Sequence, residues 1–142
     1  SFGVADTLDG RFDLLTLHAF AVMDALKSLV QEGGKLGTEL VNTIFAEFDR
    51  ALRQLGVSDM GLGRRIKAMT DAFYGRLEAY GDAAGEPEFA EALQRNLYRG
   101  DAAKHPESAA LAHYMFDVKT ALRARAASLL AGELDFGPLP HI

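Results

Sequence analysis

At 142 residues and 15.4 kDa, the chain fits one domain that buries roughly two-thirds of the surface its unfolded state exposes. Hydrophobic residues make up 49% and charged residues 25%, which excludes the low-hydrophobicity, high-charge class of disordered chains. Fifteen bases against 20 acids give a net charge of −5 and a pI near 5.3, the wrong sign for general attraction to nucleic acid or anionic lipid. The absence of cysteine removes disulfides and thiolate metal sites, and no apolar run approaches the ~18 residues of a membrane span. The chain reads as soluble, with a single helical domain over residues 1–142, a core over 9–131 and a tail over 132–142.

Apolar residues recur at three-and-four spacing with almost no alternating β-branched runs, which predicts helices only. A first helix is expected from Arg11 to Glu32, capped by Asp9 and stopped by Gly33-Gly34, with Phe12, Leu15, Ala19, Val22, Leu26 and Leu29 as its stripe. Leu14, Leu17 and Phe20 lie off that stripe, so the helix is apolar around most of its circumference and reads as central. A second helix from Leu36 to Leu55 carries Leu40, Val41, Ile44, Phe45, Phe48 and Leu52. Its Asp49 and Arg53 stand at the i,i+4 spacing of an exposed ion pair. Residues 56–63 read as a glycine-punctuated elbow. A third helix is expected from Arg64 to Tyr80, a fourth from Pro87 to Arg99, and a fifth opened by Pro106 and ending before Gly132. Leu134 to Ile142 forms a proline-containing tail. Five helices with short connections predict an all-α bundle of two packed layers.

Nothing in this pattern assembles a catalytic group. His18, His105, His113 and His141 are scattered without the i,i+4 pairing of a helical zinc site, and His18 reads as the edge of a packed face. Phosphate loops, nucleophile elbows and dinucleotide fingerprints are missing from the sequence. The chain therefore reads as a non-enzyme without cofactor or metal.

Two surface features remain. Between Arg50 and Lys67 five bases, Arg50, Arg53, Arg64, Arg65 and Lys67, face one acid, Asp59, a local balance of +4. Gly61-Leu62-Gly63 would place Arg64 and Arg65 in the first turn of the third helix, against its macrodipole, which suggests either pairing with Asp59 or an interaction surface. Ala68, Ala72, Gly75 and Ala79 form a small-residue stripe on that helix, away from Phe73. The expectation is close packing against another helix of the domain, and the alternative is a groove for a client helix bordered by Arg65 and Arg76. Tyr74 and Arg76 are expected beside Arg50 or Arg53 on a concave, partly exposed surface.

Four segments carry a resemblance: Asp6-Thr7-Leu8-Asp9-Gly10-Arg11-Phe12-Asp13 with Leu17-His18; the run from Phe45 to Asp59; Phe73-Tyr74-Gly75-Arg76-Leu77-Glu78-Ala79-Tyr80; and Leu93-Gln94-Arg95-Asn96-Leu97-Tyr98. In order and spacing, over about Asp6 to Leu130, the chain resembles the ubiquinol–cytochrome c chaperone family, in its shorter alphaproteobacterial form. The resemblance implies an α-helical assembly factor of the cytochrome bc complex that binds newly made cytochrome b. It also implies a partner assembly subunit, a position near the ribosome exit, and peripheral contact with the inner membrane from the bacterial cytoplasm or, in a eukaryote, the mitochondrial matrix side. No DNA partner is implied. Where the family's elbow often carries a proline, this chain has glycine, while the basic segment Gly63-Arg64-Arg65-Ile66-Lys67 is retained. Relatives carry a further helical segment upstream of Val4, and without it Leu14, Leu17 or Phe20 would be less covered.

The client-binding candidates are Arg50, Arg53, Asp59, Arg64, Arg65, Lys67, Tyr74, Gly75 and Arg76. A second function class, a bundle that binds a small apolar ligand such as a quinone or lipid, would show an enclosed cavity in place of an open groove.

Overall fold

The structure, a computed structural model, describes residues 2–138. The described chain is helical without strands: α1 (Leu8–Leu26), α2 (Val30–Gln54), α3 (Asp59–Gly81), α4 (Glu86–Asn96), α5 (His105–Ala124) and the short α6 (Ala126–Leu130), with a 3-10 turn at Ala102–Lys104 before α5. Two helical hairpins, α2–α3 and α4–α5, close on α1 from its two sides. Phe12 and Ala19 of α1 pack with Ile44, Phe48, Leu52, Met69 and Phe73 of the first hairpin. Leu17, Phe20 and Ala21 pack with Phe89, Leu93, Leu111 and Met115 of the second. The near-complete apolar circumference read from the sequence is thus accounted for by a helix buried on two faces.

The first boundary differs from expectation. Gly33-Gly34 do not stop α1; the chain turns at Lys27–Leu29, and both glycines lie inside α2. The Ser28 hydroxyl donates to the Ala25 carbonyl at 2.9 Å and the Leu29 amide to the Leu26 carbonyl at 2.9 Å, closing the turn within three residues. The start of α2 then lies so close to the end of α1 that a Cβ on Gly33 would stand 2.2 Å from the Leu26 carbonyl oxygen. Gly33 is therefore a close-approach residue, not a stop signal. At the other end of α1 the cap is Thr7, whose hydroxyl accepts from the Gly10 amide at 3.1 Å, while Asp9 lies in the first turn.

The elbow is also shorter than expected. Ser58 caps α3, its hydroxyl accepting from the Gly61 amide at 3.3 Å, Asp59 supplies the favourable first-turn acid, and Leu62 is buried. Cap, charge and burial together outweigh the helix-weakening glycines 61 and 63. The expected fifth helix divides at Arg125, and the turn directs Ala126 and Leu129 of α6 into the core. Leu17 and Phe20 are buried and Leu14 is partly buried. His141 and the end of the expected tail lie outside the described residues.

Candidate functional site

The basic stretch is electrically balanced by the fold. Arg50 pairs with Glu47 at 2.5 Å, Arg53 with both Asp49 at 3.0 Å and Asp59 at 2.9 Å, Arg65 with Asp9 of α1 at 2.9 Å, and Lys67 with Asp71 at 2.9 Å. Five acids thus stand against the five bases. Among the described residues Arg64 alone of these forms no ion pair. Because α3 begins at Asp59, Arg64 and Arg65 fall beyond its first turn, so neither opposes the helix dipole and residues 61–63 form no anion loop. Asp59 pairs with Arg53, not with Arg64 or Arg65. Exposed pairs of this kind add little stability but cancel the patch that chain order suggested.

Tyr74 and Arg76 do not share a surface. Two residues apart on a helix, they point about 160° from each other. Arg76 turns inward, its side chain only 11% exposed, to face the buried Asp13 of α1 at 2.5 Å. The two ions lie side by side without an aligned hydrogen bond, and the guanidinium also covers the Phe12 ring at 5.4 Å. Arg99, the one described non-glycine residue with positive φ (56°), donates to the other Asp13 oxygen at 2.8 Å. Burial pushes the Asp13 carboxyl above the ordinary carboxylate range, against the opposing pull of the two guanidinium groups. Burial likewise raises the nearby Tyr80 phenol far above its usual range, and its hydroxyl has no hydrogen-bond partner among the described residues. Arg76 is thus a structural ion that ties α1 to α3, not a surface contact for a client.

Gly75 is exposed, and nothing lies within 4 Å of where its Cβ would stand. Among the described residues no other helix packs against the stripe at Gly75, contrary to the expectation of close packing there, although Ala72 lies against the core.

Tyr74, 53% exposed, leads to a surface the sequence reading missed. Its ring stands edge-on to Phe73 at 5.4 Å and walls an open groove of about 490 Å³ between the end of α1, the start of α2 and α3. Met23, Leu26, Val30 and Val41 supply the apolar lining, Gly33, Gly34 and Gly37 bare backbone, and Lys27, Thr38 and Asn42 the polar lining. Val30, Gly34, Gly37 and Val41 follow a 4-3-4 spacing, the seam on which a second helix lies along a first. Among the described residues, and apart from the helix's own nearby backbone, no atom lies within 4 Å of a Cβ placed on Gly34 or Gly37, so backbone is exposed as contact surface there. Reading Gly33-Gly34 as a stop hid this seam; the signal was the recurrence of Gly37 and Val41 at helical spacing.

The model of the ubiquinol–cytochrome c chaperone family matches residues 1–136. The chain belongs to this family. A crystal structure of the Cbp3 homolog from Brucella abortus superposes with a TM-score of 0.80 at 34% identity, covering 95% of this chain and 78% of that one. No curated protein sequence matches the chain. The family is one of assembly chaperones for ubiquinol–cytochrome c reductase, complex III, and not of enzymes. Among the described residues no group of three acidic or histidine side chains is placed to hold a metal ion, and no helix is long and apolar enough to cross a membrane. The groove beside Tyr74 is one of several concave surfaces on this chaperone, and it is lined by one of the sequence-predicted site residues.

Proposed function

We propose that this complex III assembly chaperone binds newly made cytochrome b, and that the groove between Tyr74 and the glycine seam of α2 receives one of the client's apolar helices. The observation that carries this reading is the bare backbone at Gly34 and Gly37 within an apolar lining. A helix laid there would bury Met23, Val30 and Val41 and approach the α2 backbone closely, as small-residue seams allow. Openness also favours a polypeptide client over an enclosed quinone or lipid. Contact with the membrane surface where such a client resides belongs to the same proposal: the α2–α3 elbow exposes Leu55 (69%) and Met60 (81%), and Arg64, one helical turn after Met60, forms no ion pair among the described residues. A partner subunit and the ribosome exit remain part of the family expectation.

The test is Gly37→Leu, which puts a side chain into the groove lining at a position where an added Cβ meets no described atom beyond the helix's own backbone. The variant should fold as the parent does and lose capture of cytochrome b from detergent-solubilised membranes. A photo-crosslinking residue at Tyr74 should label cytochrome b in the unmodified background. Undiminished capture by Gly37→Leu would rule the groove out.

A further inference from the structure

A second apolar cleft, about 420 Å³ and sharing no lining residue with the Tyr74 groove, lies between α1 and α2. Its helical walls include Leu14, Leu15, Val22, Leu40 and Ile44, and its outer wall is the chain's own segment after α6, through Leu134 and Phe136. This strap has no helix or strand hydrogen bonding. Phe136 sets its ring edge-on to His18 at 5.0 Å. The intervening Asp135 faces away to Arg125, with a carboxylate contact of 3.6 Å and a carbonyl hydrogen bond of 3.5 Å, both long. Leu134 remains half exposed, and Leu15, which lines the same cleft, is 41% exposed.

Leu134 and Phe136, at i and i+2 along the strap, both line the cleft. The cleft thus already holds a Leu-x-Phe sequence, and among the described residues few contacts tie it down: Phe136 against His18 and the core, the long Arg125–Asp135 pair, and a Gly137 amide that donates back to the Asp135 carboxylate at 2.8 Å within the strap itself. We propose that the α1–α2 cleft is a docking slot for a short apolar peptide segment of a client, and that residues 134–136 occupy it in cis as a displaceable competitor. A segment joined to the domain by the short link after α6 has an effective concentration on the order of millimolar. Even a weak incumbent then excludes weak ligands while yielding to a segment that fills the slot. This slot is separate from the Tyr74 groove, and its test does not require cytochrome b.

The probe is a fluorescent synthetic peptide with the sequence of residues 131–138, Ala-Gly-Glu-Leu-Asp-Phe-Gly-Pro, alongside a control peptide with serine at the leucine and phenylalanine positions. The protein is the full chain, unmodified or carrying Leu134→Ser with Phe136→Ser, substitutions at the partly exposed strap that leave the helical core intact. Fluorescence anisotropy should show the released variant binding the peptide about tenfold more tightly than the parent, the scale set by removing a tethered competitor. The control peptide should bind neither. Adding Leu15→Arg to the released variant, at a half-exposed cleft position, should abolish binding while circular dichroism remains unchanged. Equal affinity of parent and released variant, weaker binding after release, or binding indifferent to Leu15→Arg would overturn the proposal.

Discussion

Glycine to alanine at two positions should act with opposite signs. Gly75 lies in the middle of α3 with nothing within 4 Å of a new Cβ. Alanine there only removes backbone entropy from the unfolded chain, so the fold should gain about 0.8–1 kcal/mol, or about 3 °C in Tm for a domain of this size. Gly33 also lies in a helix, where the same propensity gain applies. Its Cβ, however, would stand 2.2 Å from the Leu26 carbonyl oxygen, 3.1 Å from the Leu26 carbonyl carbon and 3.1 Å from the Leu29 Cβ. The obstruction is backbone and cannot rotate away. Overpacking costs of about 3 kcal/mol, at the upper end for a rigid obstacle, exceed the propensity gain and leave a net loss near 2 kcal/mol. Thermal and urea melts followed by circular dichroism measure both variants under one set of conditions. A Gly75→Ala variant that melts below the parent would mean that the back of α3 is packed after all. An unchanged melt for Gly33→Ala would refute the close approach of α1 and α2.

Arg76→Met should cost about 3 kcal/mol, because it leaves the buried Asp13 with only the half-exposed Arg99; a melt within error of the parent would return Arg76 to the surface. Asp13 should titrate above the exposed Asp6, whose carboxyl Arg11 holds below the usual range, as read by carbon-13 NMR of the carboxylates. The sign follows from linkage: a raised folded-state pKa means that the native state holds the Asp13 proton more tightly than the unfolded chain. Its contribution is therefore greatest at acid pH and is lost as pH rises through the folded pKa. Asp6 behaves oppositely, stabilising at neutral pH and losing that contribution as pH falls through its lowered pKa. Arg64→Glu should leave the melting temperature unchanged, since Arg64 forms no ion pair among the described residues, whereas Arg65→Glu should lower it by breaking the contact with Asp9 and placing two acids together.

Local information fixed the helical class, the central α1, the Asp49–Arg53 pair and the openings of α4 and α5. Each follows from the spacing of apolar residues along one chain segment or from proline at a helix start, and needs no neighbour. The family was likewise legible in short runs such as Phe45 to Asp59. Tertiary structure decided what glycines and charges mean. Gly33 and Gly61 weaken a helix by themselves, yet both lie inside helices because a tight α1–α2 turn and a Ser58 cap with buried Leu62 outweigh that preference. The +4 balance of residues 50–67 was a count along the chain, whereas electrostatics acts through space, where Asp9 arrives from α1 and Glu47, Asp49 and Asp71 from adjacent helical turns. Tyr74 and Arg76, neighbours in sequence, diverge because helical rotation turns one toward an open groove and the other onto Asp13, which only the packing of α1 against α3 brings there.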